Sequence, residues 1–156
     1  MKYLSIILVL FIGCARYQPP QRYNVKTEAV IEKPFEKVWT SAVEWFATHN
    51  TPIKNMDKTS GFISTEYSLS ANDLNCLDCG VEGQAFLTVI RIENQRGNFN
   101  LIIKPLEDGN TKVLVNCFYK ATYNMYSEGR LQRSEEINCT STGVLERAIL
   151  RYLNES

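Results

Sequence analysis

The chain has 156 residues, with 17 Lys or Arg balanced by 17 Asp or Glu, a single histidine and five cysteines. That length suits one domain with a proper core and is short for two. Balanced charge without a basic stripe argues against a nucleic-acid partner, and no cluster of four or more Lys/Arg marks an anionic lipid surface.

Lys2 gives the chain a positive start, and residues 4–12 are apolar except for Ser5. At about 1.5 Å per residue, a helix of that length covers roughly half of the ~30 Å hydrocarbon layer, so it does not span a bilayer. A charged start and a short apolar block ending in a small residue, here Gly13, form the layout of an export signal. Cys14 follows at once, and Phe11-Ile12-Gly13-Cys14 resembles the lipobox of bacterial lipoproteins, with Phe11 where leucine is usual. The resemblance implies cleavage before Cys14, a diacylglyceryl group on its sulfur and an acyl chain such as palmitate on its amine. One acyl chain holds a protein only marginally, at about 0.8 kcal/mol per methylene, so a stable anchor takes two or more. Ala15, where an aspartate would retain the protein, implies a lipid anchor in the outer membrane, with the domain in the periplasm. Residues 1–13 are therefore read as signal peptide, and residues 14–23 as a polar, Pro- and Gln-containing tether that holds the domain off the membrane. Residues 24–156 form one domain.

In that domain, residues 24–32 alternate as a first strand. Pro34 suits a helix start, and Phe35, Val38, Trp39, Ala42, Val43 and Phe46 recur on one helical face. The helix is expected to end near His49-Asn50, before Pro52. His49 suits the last turn of that helix and is not read as catalytic. Trp39 falls on the apolar face, and Trp45 beside it is expected to be partly exposed. Residues 51–69 read as two short strands around the turn Asp57-Lys58-Thr59-Ser60-Gly61. Residues 70–84 (SANDLNCLDCGVEGQ) form a long polar loop. Strands follow at residues 86–94 and 98–106, with Gln95-Arg96-Gly97 as a hairpin signal, and at 111–123 after a turn at residues 107–110. On the last of these Val113, Val115, Cys117 and Tyr119 share a face. Residues 124–138 read as an irregular arm. Val144, Leu145, Ala148, Ile149, Tyr152 and Leu153 mark a closing amphipathic helix, capped by Ser141 or Thr142.

Cys76, Cys79, Cys117 and Cys139 make an even set beyond an export signal, which points to disulfides in an oxidising compartment. Cys79 is expected to pair with Cys139, and Cys76 with Cys117. A redox use of Cys76-Leu77-Asp78-Cys79 lacks a helix start and a flanking cation. A zinc site lacks matching spacing, so no metal and no cofactor are expected.

The expected fold is α+β: an antiparallel sheet of about five to six strands packed on two helices, in the order β-α-β-β-β-β-β-α. This resembles the helix-grip arrangement. Pro34-Phe35, Val38-Trp39 and Asp57-Lys58-Thr59-Ser60-Gly61 resemble the repeated unit of the BamC lipoproteins of outer-membrane β-barrel assembly, over residues 28–67. BamC proteins carry two such units without comparable disulfides, so the likeness does not imply membership of that assembly. No P-loop, dinucleotide fingerprint, HExxH or nucleophile elbow is present. The expected role is a non-enzymatic binding or scaffolding lipoprotein, joined to the membrane by lipidated Cys14 and to a protein partner in the envelope. The alternatives are a carrier of a small apolar ligand, in a cavity lined by Phe86, Phe99 and Phe118, and a thiol-disulfide redox protein using Cys76 and Cys79.

Overall fold

The computed structural model describes residues 16–66 and 75–156; the signal-like segment, Cys14 and residues 70–74 of the polar loop lie outside the described residues. The elements run β1 (Glu28–Ile31), α1 (Phe35–Thr48), β2 (Ile53–Asp57), β3 (Phe62–Thr65), β4 (Leu77–Asp78), β5 (Gln84–Ala85), β6 (Thr88–Pro105), β7 (Thr111–Ser127), β8 (Arg130–Ser141) and α2 (Val144–Glu155). The class is α+β, as expected, but the antiparallel sheet has eight strands where five to six were expected. Its main path is β2-β3-β6-β7-β8-β4, with β1 beside β7 and β5 beside β6.

The added strands are β8 and the short β4 and β5, while two expected strands fuse into one. The expected hairpin at Gln95-Arg96-Gly97 is not a turn: β6 runs through it unbroken for 18 residues. Glu93 pairs with Thr122 and Arg96 with Lys120, so one extra residue is absorbed as a bulge, and Asn94 takes a left-handed φ of 51°. A bulge shifts which side chains face inward, because side chains alternate along a strand. Ile90 and Ile92 before it and Phe99, Leu101 and Ile103 after it change parity in the sequence, and the bulge returns them all to one face. The expected irregular arm is also a strand, β8. A two-residue turn joins it to β7, with Glu128 at φ 50° and Gly129 at φ 75°, the left-handed pair that matches strand twist in tight hairpins.

Both helices lie against one half of one sheet face. From α1 come Val38, Trp39, Ala42, Trp45 and Phe46; from α2 come Ile149, Leu150 and Leu153. They meet Ile31, Ile63, Phe99, Leu101, Ile103, Val113 and Val115 in one cluster. Each large apolar side chain fully buried there contributes roughly 1.5–3 kcal/mol. Pro34 sits in extended conformation at the α1 N-cap, and the helix closes on a His49 N–H to Trp45 carbonyl bond of 3.0 Å. Trp45 is buried, not partly exposed: its ring stacks on His49 at 4.3 Å and meets Phe99 edge-on at 5.7 Å. Gly61 ends the β2–β3 turn at φ 69°, where a Cβ would lie 1.9 Å from the Ile103 carbonyl oxygen, so β3 reaches β6 only through glycine. At α2 the N-cap is Gly143, and Ser141 Oγ accepts its N–H at 3.0 Å.

Candidate functional site at the stapled end of the sheet

β7 is 17 residues long, and the helices cover only its first half. Beyond Val115 the same face continues with Cys117, Tyr119, Ala121 and Tyr123. The loop before β5 covers it, packing Cys76, Leu77 and Cys79 on Tyr119 and Ala121, with Ile92, Cys117, Ile137, Cys139 and Leu145 around them. Loop and sheet are joined by short-range chemistry. Leu77 pairs with Ser141 and Asp78 with Thr140. Extending that register by one residue sets Cys79 against Cys139, and these two form a disulfide across 60 residues of sequence. This is the first of the two expected bridges.

The second expected bridge, Cys76 to Cys117, is not closed, because Cys117 is a thiol. Its surroundings explain its chemistry. Burial pushes the Cys117 thiol well above its ordinary range, and the facing Glu146 carboxyl adds to the effect, with Cys76 also close enough to contribute. Burial raises the Tyr119 hydroxyl in the same way, followed by the influence of Cys117. Glu146 is 1% exposed in the first turn of α2, where the helix dipole favours a carboxylate. Among the described residues, its Oε2 has no hydrogen-bond partner, while the Tyr119 hydroxyl interacts with the Cys117 thiol. A thiol held protonated in a closed cluster is a poor nucleophile. The motif that looked like a redox pair is thus split: Cys79 is locked in the staple and Cys76 is buried beneath the loop.

The stapled loop in turn holds the segment expected to be a tether. Tyr17 Oη donates to the Cys79 carbonyl at 2.6 Å, and its ring meets Tyr123 edge-on at 5.4 Å. Gln18 and Val81 exchange backbone hydrogen bonds of 3.3 and 2.9 Å. Asp78 anchors the rest, accepting from the Gln21 N–H and the Tyr23 hydroxyl, each at 2.9 Å, and from the Gly80 N–H at 2.8 Å. Burial alone would raise the Asp78 carboxyl, but these donors outweigh it and hold the group below its ordinary range. Close approach explains two glycines: a Cβ on Gly80 would lie 2.1 Å from the Gln18 carbonyl oxygen, and one on Gly83 would lie 2.6 Å from that of Arg16. From Arg16 onward, therefore, the tether does not stand off from the domain; it is strapped along the loop. Asp78, Gly80 and Gly83 were legible only as loop residues, because their partner lies about sixty positions away.

Other residues singled out from the sequence are dispersed. Exposed His49 gives its Nδ1 to the Trp45 carbonyl contact at 2.8 Å, which is a helix-end role. Phe99 is buried, stacked on Phe46 at 5.5 Å, whereas Phe86 is 97% exposed and Phe118 49% exposed, so the three line no common cavity. Cys14 lies outside the described residues. Among those described, no group of three or more His, Cys, Asp or Glu is placed to hold a metal, and no helix is long and apolar enough to cross a membrane. Compared with protein-family models and with curated proteins, the sequence matches none.

Proposed function

We propose that the chain is a bacterial envelope lipoprotein, anchored in the outer membrane through lipidated Cys14, whose periplasmic helix-grip-like domain binds a protein partner or scaffolds an assembly without catalysing a reaction. The observation that carries this reading is the strap. Residues 17–23 are bonded to a loop that a disulfide fastens to the sheet. An acyl anchor two residues before Arg16 would then set the position and orientation of the whole domain relative to the bilayer. Fixed presentation suits a scaffold, whereas a flexible spacer would leave orientation free. Covalent capture of the loop also fits an oxidising compartment. The grip-like description rests on α2, which packs against β7 and β1 at the end of the chain.

The competing readings lose ground on particular residues. Thiol-disulfide exchange through Cys76 and Cys79 needs an accessible thiol of lowered pKa, whereas Cys79 is bonded to Cys139 and Cys76 is buried. Exposure of Phe86 and Phe118 leaves the apolar-carrier reading without the lining it was built on. The test has two parts. Growth with labelled palmitate should label the wild-type chain and leave Cys14→Ser unlabelled. Crosslinking in the native envelope should then recover a protein partner with the wild type and lose it with Cys14→Ser. An unlabelled wild type would overturn the anchor, and a labelled chain that captures no protein would overturn the scaffold.

A further inference from the structure

The far end of the sheet, next to the strap, turns a group of apolar side chains to solvent. Phe86 and Leu87 form the turn between β5 and β6, 97% and 51% exposed. The β7–β8 turn lies directly beside it, since the Glu128 N–H donates to the Leu87 carbonyl at 2.9 Å. Just past that turn Leu131, 53% exposed, stands opposite Tyr126, and Tyr126 stands opposite Val89. Val81, 58% exposed, adds a further apolar side chain on the strap-bearing loop. Isolated exposed apolar residues are ordinary on a protein surface, but an aromatic–aliphatic group gathered on two adjoining turns marks an interaction site.

The course of the N-terminal segment indicates what covers it. Gln18 pairs antiparallel with Val81, and Arg16 abuts Gly83. Followed backward, the strap therefore heads from Val81 through Gly83 towards Phe86. Cys14 is two residues before Arg16, and Phe86 is three residues after Gly83. At no more than about 3.6 Å per residue, the covalent chain keeps the two within about 20 Å. The sheet is much longer: the 18 residues of β6 extend about 60 Å at ~3.3 Å per residue, with the helices near the opposite end. Lipid on Cys14 would thus bring this end, and not the helical end, to the bilayer surface.

We infer that the adjoining β5–β6 and β7–β8 turns, headed by Phe86 and Leu87, form a membrane-seating surface that enters the interfacial layer of the same bilayer that holds Cys14. The inference rests on the anchor reading and adds to it a second, apolar point of contact. Its chemistry is hydrophobic. Around the turns Arg91 is paired with Glu82 and Arg130 follows Glu128 by two residues, so no cluster of four or more cations selects anionic headgroups there. An amphipathic protrusion seated in this way binds by buried apolar area. It would also hold the long axis of the sheet upright, with the helical half facing away from the membrane.

The test uses the lipidated full chain in zwitterionic phosphatidylcholine vesicles. Trp39 and Trp45 are both buried in the core, so the wild type gives a constant background. A Phe86→Trp variant adds one emitter at an exposed turn, where substitution leaves the core untouched. In vesicles of lipid brominated on its acyl chains, the added emission should be lost while the core emission persists. Palmitate labelling of the same preparation reads the anchor separately. Labelled protein in which the added emission is quenched supports the inference; labelled protein in which it is unquenched overturns the inference and leaves the anchor standing. An unlabelled chain removes the anchor reading and the inference with it. A photoreactive residue at position 86 that captures a protein in the native envelope, and no phospholipid, also overturns it.

Discussion

Removing the Cys79–Cys139 bridge should lower global stability and release the strap, and the size of the first effect follows from the sequence separation. A bridge closing 60 residues removes about 14 cal/mol/K of entropy from the unfolded chain, or about 4 kcal/mol at 25 °C. Native domains have only about 5–15 kcal/mol in total, so the loss is large. The double variant Cys79→Ala/Cys139→Ala is the cleaner perturbation, because Cys79 is 4% exposed and a serine hydroxyl there would add its own burial cost. With a urea slope of about 2 kcal/mol/M, the unfolding midpoint should fall by about 2 M. The second effect is local. Without the bridge the loop is held by the two-residue β4–β8 pairing, by the Thr142 bonds to the Cys76 and Asn75 carbonyls and by Leu77, so the Gln18, Gln21 and Val81 amides should exchange faster with solvent than amides in β6 and β7. Reducing the wild type should reproduce both changes. A midpoint shift below about 0.5 M with unchanged slope would refute the entropic account. Unchanged exchange at Gln18 and Gln21 would refute the staple's hold on the strap.

Three further outcomes are expected. Asp78 has its carboxyl pKa lowered by the Gln21, Gly80 and Tyr23 donors, so its contribution is present above the ordinary carboxylate pKa of 3.8 and is lost as pH falls through the lower folded value; the Gln21 amide should open in that acid range, and Asp78→Asn should remove the pH dependence, a step that would disprove the clamp if it persisted unchanged. Glu146→Met should stabilise the domain by about 1–3 kcal/mol in urea melts, because it removes a buried carboxyl oxygen that lacks a hydrogen-bond partner among the described residues; destabilisation of similar size would show that the carboxylate is held by interactions that outweigh its desolvation. Cys117 should resist iodoacetamide in the native protein at pH 8 and react once unfolded, and it should remain slow in Glu146→Met, because burial is the larger cause of its raised pKa; fast native labelling would contradict the closed cluster.

What could be read from the sequence divides along the length of β7. Its helical half was legible because each element advertises itself locally: the 3.6-residue spacing of α1 and α2, the Asp57–Gly61 turn, and the alternation of Val113, Val115 and Cys117. The shared face of Val113, Val115, Cys117 and Tyr119 is found as expected. The other half depends on partners distant in sequence. The glycine in Gln95-Arg96-Gly97 mimicked a turn, and only the change of parity between Ile92 and Phe99 carried the bulge. β8 carried little inward-outward pattern because residues 130–134 are exposed on both faces, so its strand character comes from pairing with β7 and, at its end, with β4. The strap was read as a spacer for a similar reason: a segment rich in proline and glutamine has no periodicity, and its order comes from the Asp78 carboxylate and two glycine gaps in another part of the chain.

The position of the disulfide is itself explained by that division. Under the helices, long apolar stretches cover the sheet, and each buried side chain adds roughly 1.5–3 kcal/mol, so no crosslink is needed there. Between residues 76 and 83 the covering segment buries one large aliphatic side chain, Leu77, with two cysteines beside it. Ordering its backbone costs about 1–2 kcal/mol per residue, which Leu77 alone does not offset. A bridge to β8 makes up part of the shortfall by removing entropy from the unfolded chain instead of adding apolar bulk. Apolar bulk would have covered the sheet equally well, but it would have filled the space where the Gln18 and Arg16 backbones run against Gly80 and Gly83. The staple thus permits a thin covering, and a thin covering is what allows the N-terminal segment to lie flat against the domain, pointing towards Phe86.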